Sequence, residues 1–307
     1  MGICNSKSKP NKNVSDKFRF EDSIKRHDIE NNMYYLPNDI DESDRLQILH
    51  FVERYIWQGN FFAPINHLLN QEGAMVLDVG TGRGSWLLEM ATKYPNAKFI
   101  GMDISPVQPN DIKPKNAEFI EANILEHLPF ADNTFDYVFQ RFLNVGIHAK
   151  SWPSVISELV RVLKPGGYIE LMEGEVLFNN MGPATTRLMN GMIIIFDESG
   201  LDSMACHKIH GYLEEHKHLH NVHYEIKNRM DIECGERFYK TMYQIYANGL
   251  VAVKPKLINI IEASSDEYDD LLKKMCDEMI EHESFSLQAR VYAQKLDTFN
   301  TNAKRSL

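Results

Sequence analysis

At 307 residues, with 43% hydrophobic and 25% charged side chains, the chain can bury a substantial core as one large domain or two modest ones. A net charge of −10 and a pI near 5.7 argue against general nucleic-acid binding, which needs a basic surface. Cys4, Cys206, Cys234 and Cys276 are scattered without a C-x-x-C pair, so neither a zinc ribbon nor a disulfide framework is indicated, and a reducing compartment fits.

Residues 1–30 are polar and read as a tail without a fixed fold. Within it, Met1-Gly2-Ile3-Cys4-Asn5-Ser6 matches M-G-x-x-x-[ST], the pattern that exposes Gly2 for myristoylation. One myristoyl chain holds a protein to a membrane only marginally, so stable anchoring needs a second signal. Cys4 offers a palmitoylation site, and Lys7, Lys9, Lys12, Lys17 and Arg19 face a single acid, Asp16. The expectation is a protein held peripherally on the cytoplasmic face of a membrane; the alternative is a solvated tail. No apolar run approaches the ~20 residues that cross a bilayer, and no signal-peptide core is seen.

Residues 31–73 form an expected helical cap. Ile48, Phe51, Val52, Tyr55 and Ile56 recur at helical spacing, which predicts one apolar face packed on the core. Ala74 to Val79 then reads as a buried parallel strand and Ser85 to Lys93 as the following helix, joined by Gly80-Thr81-Gly82-Arg83-Gly84. Glycines there let the backbone approach a ligand where a Cβ would collide. The spacing is G-x-G-x-G and not the dinucleotide G-x-G-x-x-G, which disfavours a nicotinamide dehydrogenase. Asp78, just ahead of the turn, would repel a pyrophosphate but suits a ligand carrying ammonium and sulfonium charge.

Lys98–Asp103, Ala117–Asn123 and Phe135–Gln140 are further short apolar runs bounded by turn residues, the β-α-β rhythm of a parallel sheet. Trp152–Leu163 reads as a helix stopped by Lys164-Pro-Gly-Gly167, and Tyr168–Met172 as the fifth strand. Beyond Gly174 the pattern turns mostly helical over 183–217. A strand is expected near Val222–Ile226 and a helix over 235–261, interrupted at Lys254-Pro255. Ser264-Ser-Asp-Glu267 has the form of a capping box ahead of an apolar stripe, Tyr268, Leu271, Leu272, Met275, Met279 and Ile280. Phe285 to Ala293 alternates as a late, antiparallel strand. His207, His210, His216, His218, His220 and His223 crowd one region but meet no metal-site spacing, so no metal is expected.

Taken together, Leu77-Asp-Val-Gly-Thr-Gly-Arg-Gly84, Phe99-Ile-Gly-Met-Asp103, Leu128-Pro-Phe130, Phe135-Asp-Tyr-Val138 and Arg161-Val-Leu-Lys-Pro-Gly-Gly167 resemble the Rossmann-like, class I S-adenosylmethionine-dependent methyltransferases. The Tyr-x-Leu-Pro-Asn-Asp string starting at Tyr34 is similar to fungal methyltransferases of the secondary-metabolism-regulator type. The resemblance implies an α/β fold: a three-layer α/β/α sandwich around a mostly parallel seven-stranded sheet in order 3-2-1-4-5-7-6. An N-terminal helical cap covers it, a cofactor-binding core spans 74–173, and residues 174–307 supply an acceptor-side helical region plus the last two strands.

It further implies that Asp78 with Gly80, Thr81 and Gly82 holds the methionine part of S-adenosylmethionine, that Asp103 accepts the ribose hydroxyls, and that Ile104, Asn123 and Ile124 meet the adenine. Asp78, Gly80, Asp103, Asn123 and Gln140 all fall at or just beyond strand ends and should line one cleft. Tyr34 or Tyr35 is a candidate contact in the cap. His148 and Glu173 are candidates for a base, though methyl transfer from a sulfonium needs one only if the acceptor arrives protonated. The acceptor, a small molecule or a protein side chain, should lie among residues 34–58, 141–152 and the region after Gly174. A regulator that binds S-adenosylmethionine and transfers nothing is the competing expectation.

Overall fold

The computed structural model describes residues 18–21, 24–27, 40–105, 108, 112–229 and 234–297. Gly2, Cys4, Tyr34 and Tyr35 lie outside these, so neither the acylation motif nor the tyrosine contact is described. Phe18–Glu21 and Ile24–His27 pair as a two-stranded antiparallel ladder inside the stretch expected to lack a fold; Phe18 and Phe20 alternate as a strand requires, a local pattern that average polarity hides.

Seven strands make the main sheet: β1 (Met75–Val79), β2 (Lys98–Asp103), β3 (Ala117–Glu121), β4 (Phe135–Arg141), β5 (Leu163–Gly174), β6 (Leu219–Asn228) and β7 (Leu287–Lys295). Their spatial order is β3-β2-β1-β4-β5-β7-β6. The first five run parallel, while β7 is antiparallel to both β5 and β6. This is the order and mixed direction of the Rossmann-like methyltransferase fold.

The inner strands carry apolar side chains on both faces because helices cover both. On one face Leu77, Val138, Ile169 and Val291 pack with the helices α4 (Trp152–Val162) and α6 (Ile209–Glu214). On the other, Val76, Tyr137 and Phe139 pack with the short α2 (Asn66–Leu69) and with α3 (Ser85–Lys93), where Trp86 stacks on Phe139 at 4.1 Å. The alternating polar residues of β7 are buried on this second face too: Gln288 accepts from the Trp57 indole, and Arg290 lies 3.5 Å from Glu170.

A separate helical layer stands over the carboxyl ends of the strands. It comprises α1 (Ile40–Ile56), α5 (Pro183–Glu198), α7 (Glu236–Ile260) and α8 (Ser265–Glu281), joined by their own apolar cluster around Leu188, Tyr243, Leu257 and Met275. The Ser264 hydroxyl accepts the Glu267 N–H at 3.1 Å, so the capping box starts α8 as expected. Among the described residues, no helix is long and apolar enough to cross a membrane.

Two expectations are corrected here. Pro255 does not interrupt α7, which runs unbroken through it. Val251, whose carbonyl loses its partner at Pro255, is 47% exposed, so water can satisfy that oxygen, and the apolar side of the helix stays packed through Val253 and Leu257. The face of α1 is also rotated from the expected one: Val52 and Ile56 are buried, but Ile48, Phe51 and Tyr55 are 45–47% exposed. In their place His50 and Glu53 point inward, because α1 covers a charged site and not a hydrocarbon sheet.

Candidate functional site

The site begins at the end of β1. Gly80 takes φ +66°, and a Cβ there would come within 2.5 Å of Leu143, so only glycine fits. Gly82 also has a positive φ, +54°, yet a Cβ would meet nothing within 4 Å. Its backbone therefore faces open space, the arrangement that close approach of a ligand requires.

Two carboxylates hold this turn. Asp78, 3% exposed, accepts from the Thr81 hydroxyl at 2.6 Å. Burial raises its pKa to about 7; the Thr81 bond and the Arg141 charge oppose the rise, and Asp103 adds to it. Asp103, at the end of β2, accepts the Gly82 N–H at 2.8 Å through one oxygen and the Ser105 N–H at 3.0 Å through the other. One carboxylate thus fastens the glycine turn to the neighbouring strand end. Burial pushes its pKa up, and the N–H groups of Gly82, Ser105 and Ile104 pull it down.

Of the residues expected in the cleft, Gly80, Thr81, Gly82, Asp103, Ile104, Asn123 and Ile124 line it, opposite Leu143, Gly146 and Ile147. Asn123 is fixed by its own loop, its side-chain oxygen accepting the Leu125 N–H at 3.0 Å. Asp78 sits beneath the wall, behind Thr81. Gln140 is corrected: it is fully buried and donates to Glu173, away from the cleft. Arg141, the last residue of β4, and Phe142, which takes φ +56°, occupy the rim instead.

Neither base candidate reaches the open space. His148 pairs by a backbone bridge with Leu201 and does not line this cleft. Glu173 is fully buried and accepts the N–H groups of Leu143 and Asn144 at 2.8 and 3.3 Å, shaping the loop after β4. Its pKa rises to about 7 through burial, against those same donors.

The residues that sequence reasoning missed are His50, Glu89 and Arg141. Arg141 donates to His50 Nδ1 at 3.1 Å, which leaves Nε2–H to donate to Glu89 at 2.7 Å. Burial, helped by Arg141, lowers the His50 pKa to about 4, so the ring is neutral at pH 7. Glu89 also accepts from Arg54 at 2.6 Å and Asn60 at 2.8 Å. This network clamps α1 to α3 across the mouth of the cleft. Nothing in the local sequence marks these groups, because their partners lie 35 to 91 positions away in the chain, apart from Asn60 at 29.

A second cavity, about 220 Å³, lies beside the first and shares Leu46, Leu49 and Phe142 with it. Its walls come from α1, from residues 142–145 after β4, and from the chain beyond Gly174, the three segments expected to surround an acceptor.

Residues 76–167 match the family model described as a methyltransferase domain. The methyltransferase pytC of Aspergillus terreus is 32% identical over 193 residues, 60% of this chain and 57% of that one. The protein-methionine methyltransferase laeA of Emericella nidulans is 33% identical over 168 residues, covering 53% of this chain and 42% of its own. The N-methyltransferase verN of Clonostachys rogersoniana is 32% identical over 162 residues, 51% and 56% respectively. The chain spans about half the length of the curated relatives it matches. Residues 76–167 thus resemble a methyltransferase domain and lie in a sheet of the Rossmann-like order 3-2-1-4-5-7-6.

Proposed function

We propose that this chain is an S-adenosylmethionine-dependent methyltransferase acting on an acceptor held in the second cavity. The observation that carries the reading is adjacency: Leu46, Leu49 and Phe142 border both spaces, so an acceptor in the second cavity would lie next to the donor cleft with only these side chains at the boundary. The donor supplies an electrophilic methyl group. The chain's part is to present the glycine-turn backbone and Asp103 to it, to oppose its charge with Asp78, and to exclude water with α1. The test is S-adenosylhomocysteine release on candidate acceptors beside calorimetric binding of S-adenosylmethionine. Donor binding without turnover on any acceptor would favour the silent regulator instead.

The raised pKa of Asp78 gives this reading a pH signature. A cationic donor favours the ionised carboxylate, whereas the donor-free protein keeps Asp78 protonated up to about 7. Below that value binding must expel a proton, so affinity falls by up to about tenfold per pH unit, and above it affinity levels off. Titrations from pH 5.5 to 8 should show this slope, and Asp78→Asn should flatten it. A wild-type affinity independent of pH would refute the role of Asp78.

The N-terminal motif supports a further part of the reading, that acylation at Gly2 and Cys4 holds the enzyme to a membrane. Gly2→Ala should then move the full chain from the membrane to the soluble fraction of its host cells. An unchanged distribution would sink the tether and leave the chemistry untouched.

A further inference from the structure

We propose that the second cavity takes an uncharged, predominantly apolar small molecule, and that Gly249 of α7 sets how large it can be. The inference rests on the reading of that cavity as the acceptor site and gives the acceptor a chemical class.

Each charged or amide side chain in the cavity wall has a partner in the protein, although Arg229 Nε itself makes no hydrogen bond. Arg45 is bonded to Glu42 through two contacts of 2.6 Å. Arg229, 4% exposed, is paired with Glu53, 2% exposed, at 3.0 Å. Glu175 is held by His207 and by the Leu287 N–H, each at 2.7 Å, and the Asn144 amide donates to the Gly174 carbonyl at 3.1 Å. Both arginines are thus paired with a carboxylate, and both oxygens of Glu175 are already taken by donors of the protein. An anion entering here would lose its water among Phe178, Met189, Ile195 and Phe196 and gain no free counter-charge, and a cation would meet only Glu175, whose oxygens already accept from His207 and the Leu287 N–H, a steep penalty for either. A neutral hydrocarbon or aromatic body meets no such cost.

Size points the same way. An apolar cavity of roughly 150 Å³ holds a benzene, so about 220 Å³ suits a body of roughly nine non-hydrogen atoms. A folded polypeptide surface cannot enter such a space; only a single side chain could, and a lysine would bring a charge that finds only the already occupied Glu175.

Gly249 is the second, independent observation. It stands in the middle of α7, where glycine is the poorest helix former after proline. Neither packing nor a positive φ requires it: the first atom a Cβ would meet is the Arg45 guanidinium at 3.9 Å. The space that glycine leaves belongs to the cavity. Its physical consequence is room for the ligand.

The test is calorimetric binding to the full chain saturated with S-adenosylhomocysteine, using three probes: 4-ethylphenol, which is neutral at pH 7, 4-methylbenzoate, an anion, and n-butylammonium, a lysine-like cation. The phenol should bind at least about tenfold more tightly than either ion. Gly249→Leu, which also improves helix propensity, should weaken the phenol about tenfold while leaving S-adenosylhomocysteine affinity unchanged; Gly249→Ala should fall between. Equal or tighter binding of either ion, no phenol binding, or an unchanged phenol affinity in Gly249→Leu would overturn the proposal. If S-adenosylhomocysteine fails to bind the wild type, the donor reading fails by itself, and the same three probes on the donor-free chain still decide the chemistry of the cavity.

Discussion

Asp103→Ala is expected to weaken S-adenosylmethionine binding about 100-fold, or roughly 3 kcal/mol, the loss of two hydrogen bonds to a charged acceptor at about 1.5 kcal/mol each. The carboxylate holds the glycine turn by the Gly82 N–H and its own following turn by the Ser105 N–H, one well-formed bond to each oxygen, with the Ile104 N–H also directed at it. Each oxygen has a second lone pair, and Asp103 lines the cleft, so two ribose hydroxyls can be accepted without disturbing either backbone bond. Alanine removes both sets at once. Asp103→Asn keeps one oxygen and turns the other position into a donor that opposes a backbone N–H, so its loss should be nearly as large. Calorimetry at pH 8, with circular dichroism to verify the fold, reads the effect. An alanine variant within threefold of wild type would remove Asp103 from the site.

Why that residue could be found in the sequence, and others could not, is a matter of how far apart partners lie. Asp78 and Asp103 end apolar runs that can only be buried parallel strands, so their place at the carboxyl edge follows from strand period and length alone. The same logic misplaced Gln140: it ends a strand as Asp103 does, but β4 continues one residue further and the side chain turns to Glu173. Alternation tells which residues share a face, not which face meets the ligand. For α1 the helical period was legible and its orientation was not. Ile48, Phe51 and Tyr55 are the obvious apolar stripe, yet His50 and Glu53 are buried because Glu89, Arg141 and Arg229 wait for them from distant elements. Pairings of that kind leave no trace in a single chain's periodicity.

Glu170 is the most consequential group of this type, and Glu170→Leu is expected to cost about 4 kcal/mol of stability. It stands at the centre of β5 with no solvent exposure. Its carboxylate accepts the Phe62 N–H at 2.9 Å, the Ala63 N–H at 2.8 Å and the Tyr137 hydroxyl at 2.9 Å, and it faces Arg290, 4% exposed, at 3.5 Å. Leucine would match its bulk but leave two backbone donors, a phenol and a buried guanidinium without an acceptor. Each neutral orphan costs about 1–3 kcal/mol before relaxation, and the stranded cation costs more. Domains hold only about 5–15 kcal/mol in total, so the shift in urea midpoint should be plain.

The effect should also reach the site, since residues 60–63 follow directly from α1 and Asn60 joins the Glu89 clamp. A loosened loop frees α1 from the cleft, so donor affinity in the folded fraction should drop as well. Glu170→Gln, which keeps an acceptor for the backbone donors but removes the charge facing Arg290, separates the two contributions: it should recover donor affinity more fully than stability. A loss below about 1 kcal/mol for Glu170→Leu would mean that water or a shifted Arg290 replaces the carboxylate, and the loop would then owe its position to packing alone.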